Sequence, residues 1–114
     1  MPLVWKSKPD LDEAEAAALF RALAHPTRLR IVQLLLEEQD RPCFDIVAKL
    51  PISQSTVSQH LKVLKTAGIV TDTAKGPRRQ YRIQTDLAVR LRKYVDRSFT
   101  INDNRIPPKP PDEG

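Results

Sequence analysis

The stretch from Ile52 to Val70, I-S-Q-S-T-V-S-Q-H-L-K-V-L-K-T-A-G-I-V, constrains the fold more than any other. It carries a start signal and a stop signal for one short helix. The Ser53 hydroxyl can accept from an orphan N–H of the first turn. Gly68 stands where a left-handed residue would end the helix. Between them Val57, Leu61 and Leu64 recur at the i, i+4, i+7 spacing of a buried stripe. The other positions are Gln54, Ser55, Thr56, Ser58, Gln59, His60, Lys62 and Lys65, nearly all uncharged hydrogen-bonding groups, and no carboxylate occurs from Ser53 to Val70. A solvated helix face is usually richer in Glu–Lys pairs four residues apart. A face without negative charge can be pressed against phosphates and base edges. A polar face turned only to water is the competing reading.

The preceding segment favours DNA. In Cys43–Leu50 (C-F-D-I-V-A-K-L), Phe44, Ile46, Val47 and Leu50 give a short apolar helix. Pro51 disfavours helical backbone at Leu50, so the chain turns and restarts at Ser53. Two helices joined by so tight a turn make a helix-turn-helix, whose second member lies in the major groove. Through H-P-T-R-L-R-I at 25–31, S-Q-S-T-V-S-Q-H-L-K-V-L-K at 53–65 and A-G-I-V at 67–70, the chain resembles the winged-helix repressors of the ArsR type. The similarity runs from about Leu11 to about Phe99. It implies a mainly α fold with a small β-hairpin wing, a winged helix-turn-helix of four helices, two strands and a last helix. It also implies a homodimer whose interface is formed by the first and last helices, here Leu11, Ala14 and Ala18 with Leu91, Tyr94 and Val95.

Charge points the same way. From Ser53 to Phe99 there are ten Lys and Arg against three Asp and Glu, whereas seven basic residues meet eight acidic ones before Ser53. An anionic polymer is the economical partner for such a segment; a basic solvated face is the alternative. With 114 residues, 40% of them hydrophobic, the chain can build one domain with a core. No apolar run approaches the length that spans a bilayer, and no signal-peptide pattern opens the chain, so no membrane partner and a cytoplasmic location are expected. A single cysteine excludes an internal disulfide framework.

Residues 1–9 read as a leader. Asp10 with Glu13 resembles a capping box opening a helix that continues to Ala24. That helix is alanine-rich and carries Leu11, Leu19, Phe20 and Leu23, apolar on more than one face. Pro26 suits the first position of a second helix, running to about Glu38. Its Leu29, Ile31, Val32, Leu34, Leu35 and Leu36 make it the central core helix. His25 reads as a boundary residue before proline. Residues 37–41 form a polar connection, and Pro42 starts the short third helix. Many ArsR-type repressors carry a Cys-x-Cys pair near this point and bind soft metals or arsenite through thiolates. This chain has R-P-C-F-D, one thiol only. A soft metal needs two to four thiolate or imidazole ligands. Cys43 therefore reads as a half-buried small hydrophobe, with a single-thiol sensor as its rival.

After the candidate recognition helix, 69–73 and 80–84 are strand-like, and Gly76-Pro77 between them is a turn signal. The resulting hairpin carries Lys75, Arg78, Arg79, Tyr81 and Arg82, suited to flanking backbone or minor groove. Thr85-Asp86 caps the last helix, along which Leu87, Leu91, Tyr94, Val95 and Phe99 recur. Residues 100–114, with P-P-K-P-P at 107–111, read as a Pro-rich flexible tail. Residues 10–99 are thus the DNA-binding and dimerisation domain.

No Walker loop, GxGxxG or HExxH occurs, and no nucleophile–base pair can be placed together, so neither an enzyme nor a cofactor is expected. The reading is a dimeric repressor of double-stranded DNA. Its contacts are Gln54, Ser55, Thr56, Ser58, Gln59, His60, Lys62 and Lys65 from the helix and Lys75, Arg78, Arg79 and Tyr81 from the wing. The effector is unknown. The rivals are a thiol- or metal-responsive repressor acting through Cys43 and a protein–protein interaction module using the first helix.

Overall fold

The computed structural model describes residues 10–100; the expected leader and the proline run of the expected tail lie outside the described residues. The elements follow as α1 (Glu13–Leu23), α2 (Pro26–Glu37), β1 (Arg41–Pro42), α3 (Cys43–Ala48), α4 (Gln54–Thr66), β2 (Val70–Lys75), β3 (Arg78–Ile83) and α5 (Thr85–Ser98). The four helices, hairpin and closing helix expected from sequence are present. No described helix is long and apolar enough to cross a membrane.

α1 opens two residues later than expected. Its capping box is Asp12 with Glu15: Glu15 N–H donates to Asp12 Oδ1 at 2.8 Å, and Asp12 N–H donates to Glu15 Oε1 at 2.9 Å. The shift leaves Leu11 just before the cap, where an apolar side chain fixes how the chain enters a helix. Leu11 is 3% exposed. Its expected place on a dimer interface is therefore corrected: it belongs to this chain's own core.

α2 starts with His25 as N-cap, its Nδ1 accepting from Thr27 N–H at 3.0 Å. Ile31, Leu34 and Leu35 are buried, but Leu29 and Leu36 are exposed. The two lie seven residues apart on one face and that face points away from the core, so the helix is buried on one side only.

The end of α2 is held by a residue that hydrophobic patterning passes over. Buried Arg41 donates through Nε to the Leu34 and Glu38 carbonyls, both at 3.1 Å. Its Nη1 meets Asp45 at 2.7 Å and its Nη2 meets Glu38 at 3.3 Å. One guanidinium thus satisfies the last carbonyls of α2 and ties them to α3. Held there, Arg41 and Pro42 form a third strand where sequence suggested a loop and a helix start. Arg41 pairs with Tyr81 and Pro42 with Gln80, giving an antiparallel sheet ordered β1-β3-β2. Proline is tolerated because β1 is an edge. Beyond it, Gln39 Oε1 accepts from the Ile83 N–H at 2.8 Å.

The hairpin is tighter than expected. β2 and β3 pair from Val70↔Ile83 to Lys75↔Arg78, leaving only Gly76 and Pro77 as the loop. Gly76 has φ 62, and a positive φ followed by proline suits the hairpin turn that matches strand twist. In α5, Thr85 and Asp86 lie inside the first turn rather than capping it; Gln84 occupies the cap position without a side-chain bond. Asp86 still stands at the positive end and pairs with Arg90 at 3.3 Å.

The Arg41 contacts generate a stability test. Arg41→Met should cost about 1–3 kcal/mol, because the Glu38 carbonyl loses its guanidinium donor, the Leu34 carbonyl keeps only the Glu38 N–H, and the tie to Asp45 is gone. Leu29→Ala should change stability by no more than about 0.5 kcal/mol, as expected for an exposed site. Urea unfolding of the two variants checks both.

Candidate nucleic-acid interface

α4 is fixed at both ends as its sequence suggests. Ser53 Oγ accepts from Thr56 N–H at 3.3 Å and lies 2.9 Å from Thr56 Oγ1 and 3.2 Å from Ser55 Oγ. At the other end Gly68 has φ 86. Gly68 N–H donates to the Lys65 carbonyl and Ile69 N–H to the Leu64 carbonyl, both at 3.0 Å. This paired closure satisfies carbonyls that would otherwise be left open. Val57, Leu61 and Leu64 are buried in a core shared with Ile31, Leu35, Ile46, Val70, Ile83 and Leu87. Gln54, Ser55, Ser58, Gln59 and Lys62 are exposed. Ser55, Ser58, Gln59 and Lys62 follow the i, i+3, i+4, i+7 spacing of a single outward stripe.

Other expected contact residues are partly committed elsewhere. Thr56 is half-buried and bound to the cap. His60 is half-buried and turns toward α2: its ring lies 4.4 Å from that of His25, tilted by 46°. Its Nδ1 is 3.4 Å from Arg28 Nη1. Arg28 in turn donates through Nε to the Ala22 carbonyl at 2.6 Å, closing α1. Burial foremost, then the fields of His25 and Arg28, hold His60 below the ordinary imidazole value.

The wing is anchored by one carboxylate. Asp72 on β2 meets Lys65 Nζ at 2.9 Å and Arg79 Nη1 at 3.0 Å, with only 7% of its side chain exposed. The bond from Lys65 is the main cause that draws the Asp72 carboxyl below its usual value; Arg79 adds to this and burial opposes it. The pairs fix the hairpin to the end of α4 and neutralise part of the charge of two expected DNA contacts. Arg78 lies over the exposed ring of Phe44, 4.9 Å from its centre, which draws the wing toward α3. Lys75 is exposed at the tip. Tyr81 is half-buried beside the core, opposite Asp72 in the ladder, and its hydroxyl pKa is raised mainly by burial.

Cys43 heads α3, half-buried, with Sγ 3.8 Å from Ser58 Oγ. Among the described residues no group of three His, Cys, Asp or Glu is placed to hold a metal ion.

α1 and α5 already pack together within one chain. Arg97 meets Asp10 at 3.2 Å, and the Phe20 and Tyr94 rings meet edge-on at 6.3 Å. Ala14, Ala18 and Val95 are exposed, and Leu91 and Tyr94 are half-buried. Between α1, α2 and α5 lies an apolar cleft of about 300 Å³, lined by residues including Phe20, Leu23, Leu91 and Val95.

Sequence reasoning missed Asp72, Phe44, Arg28 and Arg41. Asp72 alone left a trace, being the one carboxylate between Ser53 and Thr85.

Residues 25–72 match the model of the bacterial regulatory protein arsR family. The chain is 39% identical over 82 residues to an uncharacterized HTH-type transcriptional regulator of Methanocaldococcus jannaschii, covering 72% of this chain and 92% of that one. It is 47% identical over 68 residues to the HTH-type transcriptional repressor SmtB of Mycobacterium tuberculosis, covering 60% of this chain but only 50% of SmtB. Among solved structures it is similar to an ArsR-like transcriptional regulator from Rhodococcus, with a TM-score of 0.68 and 27% identity over 81% of this chain and 86% of that one.

The Asp72 anchor has an acid signature. A carboxyl whose folded-state pKa is depressed contributes stability that is present above its unfolded value and lost as pH falls through the folded one. Stability should therefore decline on acidification past the ordinary 3.8 of an aspartate. Asp72→Asn should show a shallower decline over the same range, read from unfolding curves at stepped pH.

Proposed function

The chain belongs to the ArsR family of bacterial regulatory proteins and is a DNA-binding transcription regulator; on that premise we propose that it is a homodimeric repressor in which α4 reads an operator from the major groove and the β2–β3 wing grips the flanking backbone. The observation that carries this reading is the acid-free outward stripe of Ser55, Ser58, Gln59 and Lys62 on a helix locked at both ends and backed by core.

In this reading the first N–H groups of α4, with Gln54, Ser55 and Thr56, hold phosphates. Ser58 and Gln59 face base edges, and a Gln amide can pair bidentately with adenine, worth about 1–3 kcal/mol of discrimination. Lys62 adds a phosphate contact beyond them. Lys75 and Arg78 carry the wing's grip, since Arg78 is held by the Phe44 ring face rather than by a carboxylate and Lys75 stands exposed at the tip. Lys65 and Arg79 act with the charge that Asp72 leaves them, and Tyr81 stiffens the sheet behind them. His60 supports the helix from behind.

A second copy placed on the α1–α5 face would cover the apolar cleft and the exposed Ala14, Ala18 and Val95. The two α4 helices then face successive major grooves, roughly 34 Å apart. Occupying a promoter in this way excludes polymerase and represses transcription; the relative SmtB is named a transcriptional repressor. Residues 10–99 are the working unit.

Two measurements test the division of labour. Gln59→Ala should relax sequence preference at one position per half-site, seen by selecting bound duplexes from a random pool; an equal fall for every sequence would remove Gln59 from base reading. Arg78→Ala should weaken all duplexes alike and flatten the salt dependence by about one unit of log–log slope per wing. An unchanged slope would remove the wing from the interface.

A further inference from the structure

His25 and His60 join α2 to the helix that carries the site: one caps α2, the other lies within α4. Each Nδ1 is already used as an acceptor. His25 Nδ1 takes the Thr27 N–H at 3.0 Å. His60 Nδ1 lies 3.4 Å from Arg28 Nη1, and a guanidinium can only donate. For His60 this contact suits the neutral Nε2–H tautomer, because a proton on its Nδ1 would point at the Arg28 N–H. His60 is adjacent in sequence to Gln59, so a movement of this turn of α4 moves the side chains aimed at bases.

Resting on the major-groove reading of α4, we propose that His60 is a positioning residue: neutral and packed against the His25 ring it seats α4 on α2, and its protonation unseats the helix and lowers operator selectivity.

The surroundings fix the sign. The groups acting on His60 are His25 and Arg28, both on the α2 side, and no carboxylate is among them. α1 approaches α4 with Arg21 near Lys62 and Thr66. α3 approaches it with Cys43 at Ser58. β2 approaches it with Asp72, which is bound to Lys65 and Arg79. Burial foremost, then His25 and Arg28, places the His60 pKa below 6.5. A base whose seated-state pKa is depressed favours the seated state above its free value and loses that preference as pH falls through 6.5 toward the seated one. Phosphates act in the opposite sense, since a charged His60 attracts any duplex more strongly. The effect therefore lies in the ratio of specific to non-specific affinity.

The test uses the full chain at fixed ionic strength, with a duplex selected from a random pool and a scrambled duplex of equal composition. The ratio of their affinities should fall roughly three- to tenfold between about pH 7.5 and about pH 5.5, the range over which an imidazole charges. His60→Asn keeps an acceptor for Arg28 but cannot titrate; whatever its selectivity at the upper pH, its ratio should stay flat as the pH falls. His25→Asn keeps an N-cap acceptor but removes the ring; the His60 imidazole, followed by NMR, should then titrate closer to 6.5. A flat wild-type ratio, or an equal fall in His60→Asn, overturns the proposal while leaving the major-groove reading in place. Absence of salt-sensitive duplex binding at the upper pH overturns both. Should His60→Asn fail to fold, His25→Asn decides: an unmoved His60 titration overturns the proposal.

Discussion

Burial of Val57, Leu61 and Leu64 is the interaction on which the site depends. Three side chains on one face of α4 enter a core built from α2, α3, β2, β3 and α5. Burying a side chain of this size is worth about 1.5–3 kcal/mol, enough to set the rotation of a thirteen-residue helix about its own axis. Once that rotation is set, the outward stripe follows from helical geometry alone. Ser53 and Gly68 then set its length, one closing the first turn and the other the last. What faces outward is chemically permissive toward an anion because the segment contains no acid to repel it.

The wing obeys a different logic. A basic hairpin has no reason of its own to stay near a basic helix end, since Lys65, Arg78 and Arg79 repel one another. Asp72 reverses the sign locally by standing between Lys65 and Arg79, with its carboxylate nearly closed off from water. Phe44 offers Arg78 a ring face instead of a carboxylate. One cation is therefore placed without being neutralised, while two are placed at the cost of part of their charge. Placement and charge are traded differently at neighbouring positions of the same strand.

Much of this was legible in the sequence because it is local. A serine before an apolar stripe, a glycine after it and a Gly-Pro between two strand-like runs each act within a few residues. The element order and the locked α4 followed from them. What escaped depends on contacts between distant segments. Arg41 looks like a loop residue until the end of α2 and the start of α3 are brought to it. His60 looks like one more polar group on an outward face until α2 lays His25 against it. Leu11 was read with the first helix, yet the cap at Asp12 turns it into the core. Leu29 and Leu36 failed in the opposite direction, since an apolar count along α2 cannot tell which flank a neighbour will cover.

The two-residue β1 carries a consequence for crowding. Strand edges are templates on which foreign chains can polymerise, and regulators gathered at one promoter meet at high local concentration. Here the margin outside β3 is occupied by Arg41, Pro42 and the Gln39 amide. A newcomer finds a stub, one member of which has no N–H to offer. The short strand through which α2 hands over to α3 thereby also blunts this side of the sheet against fibril-like stacking.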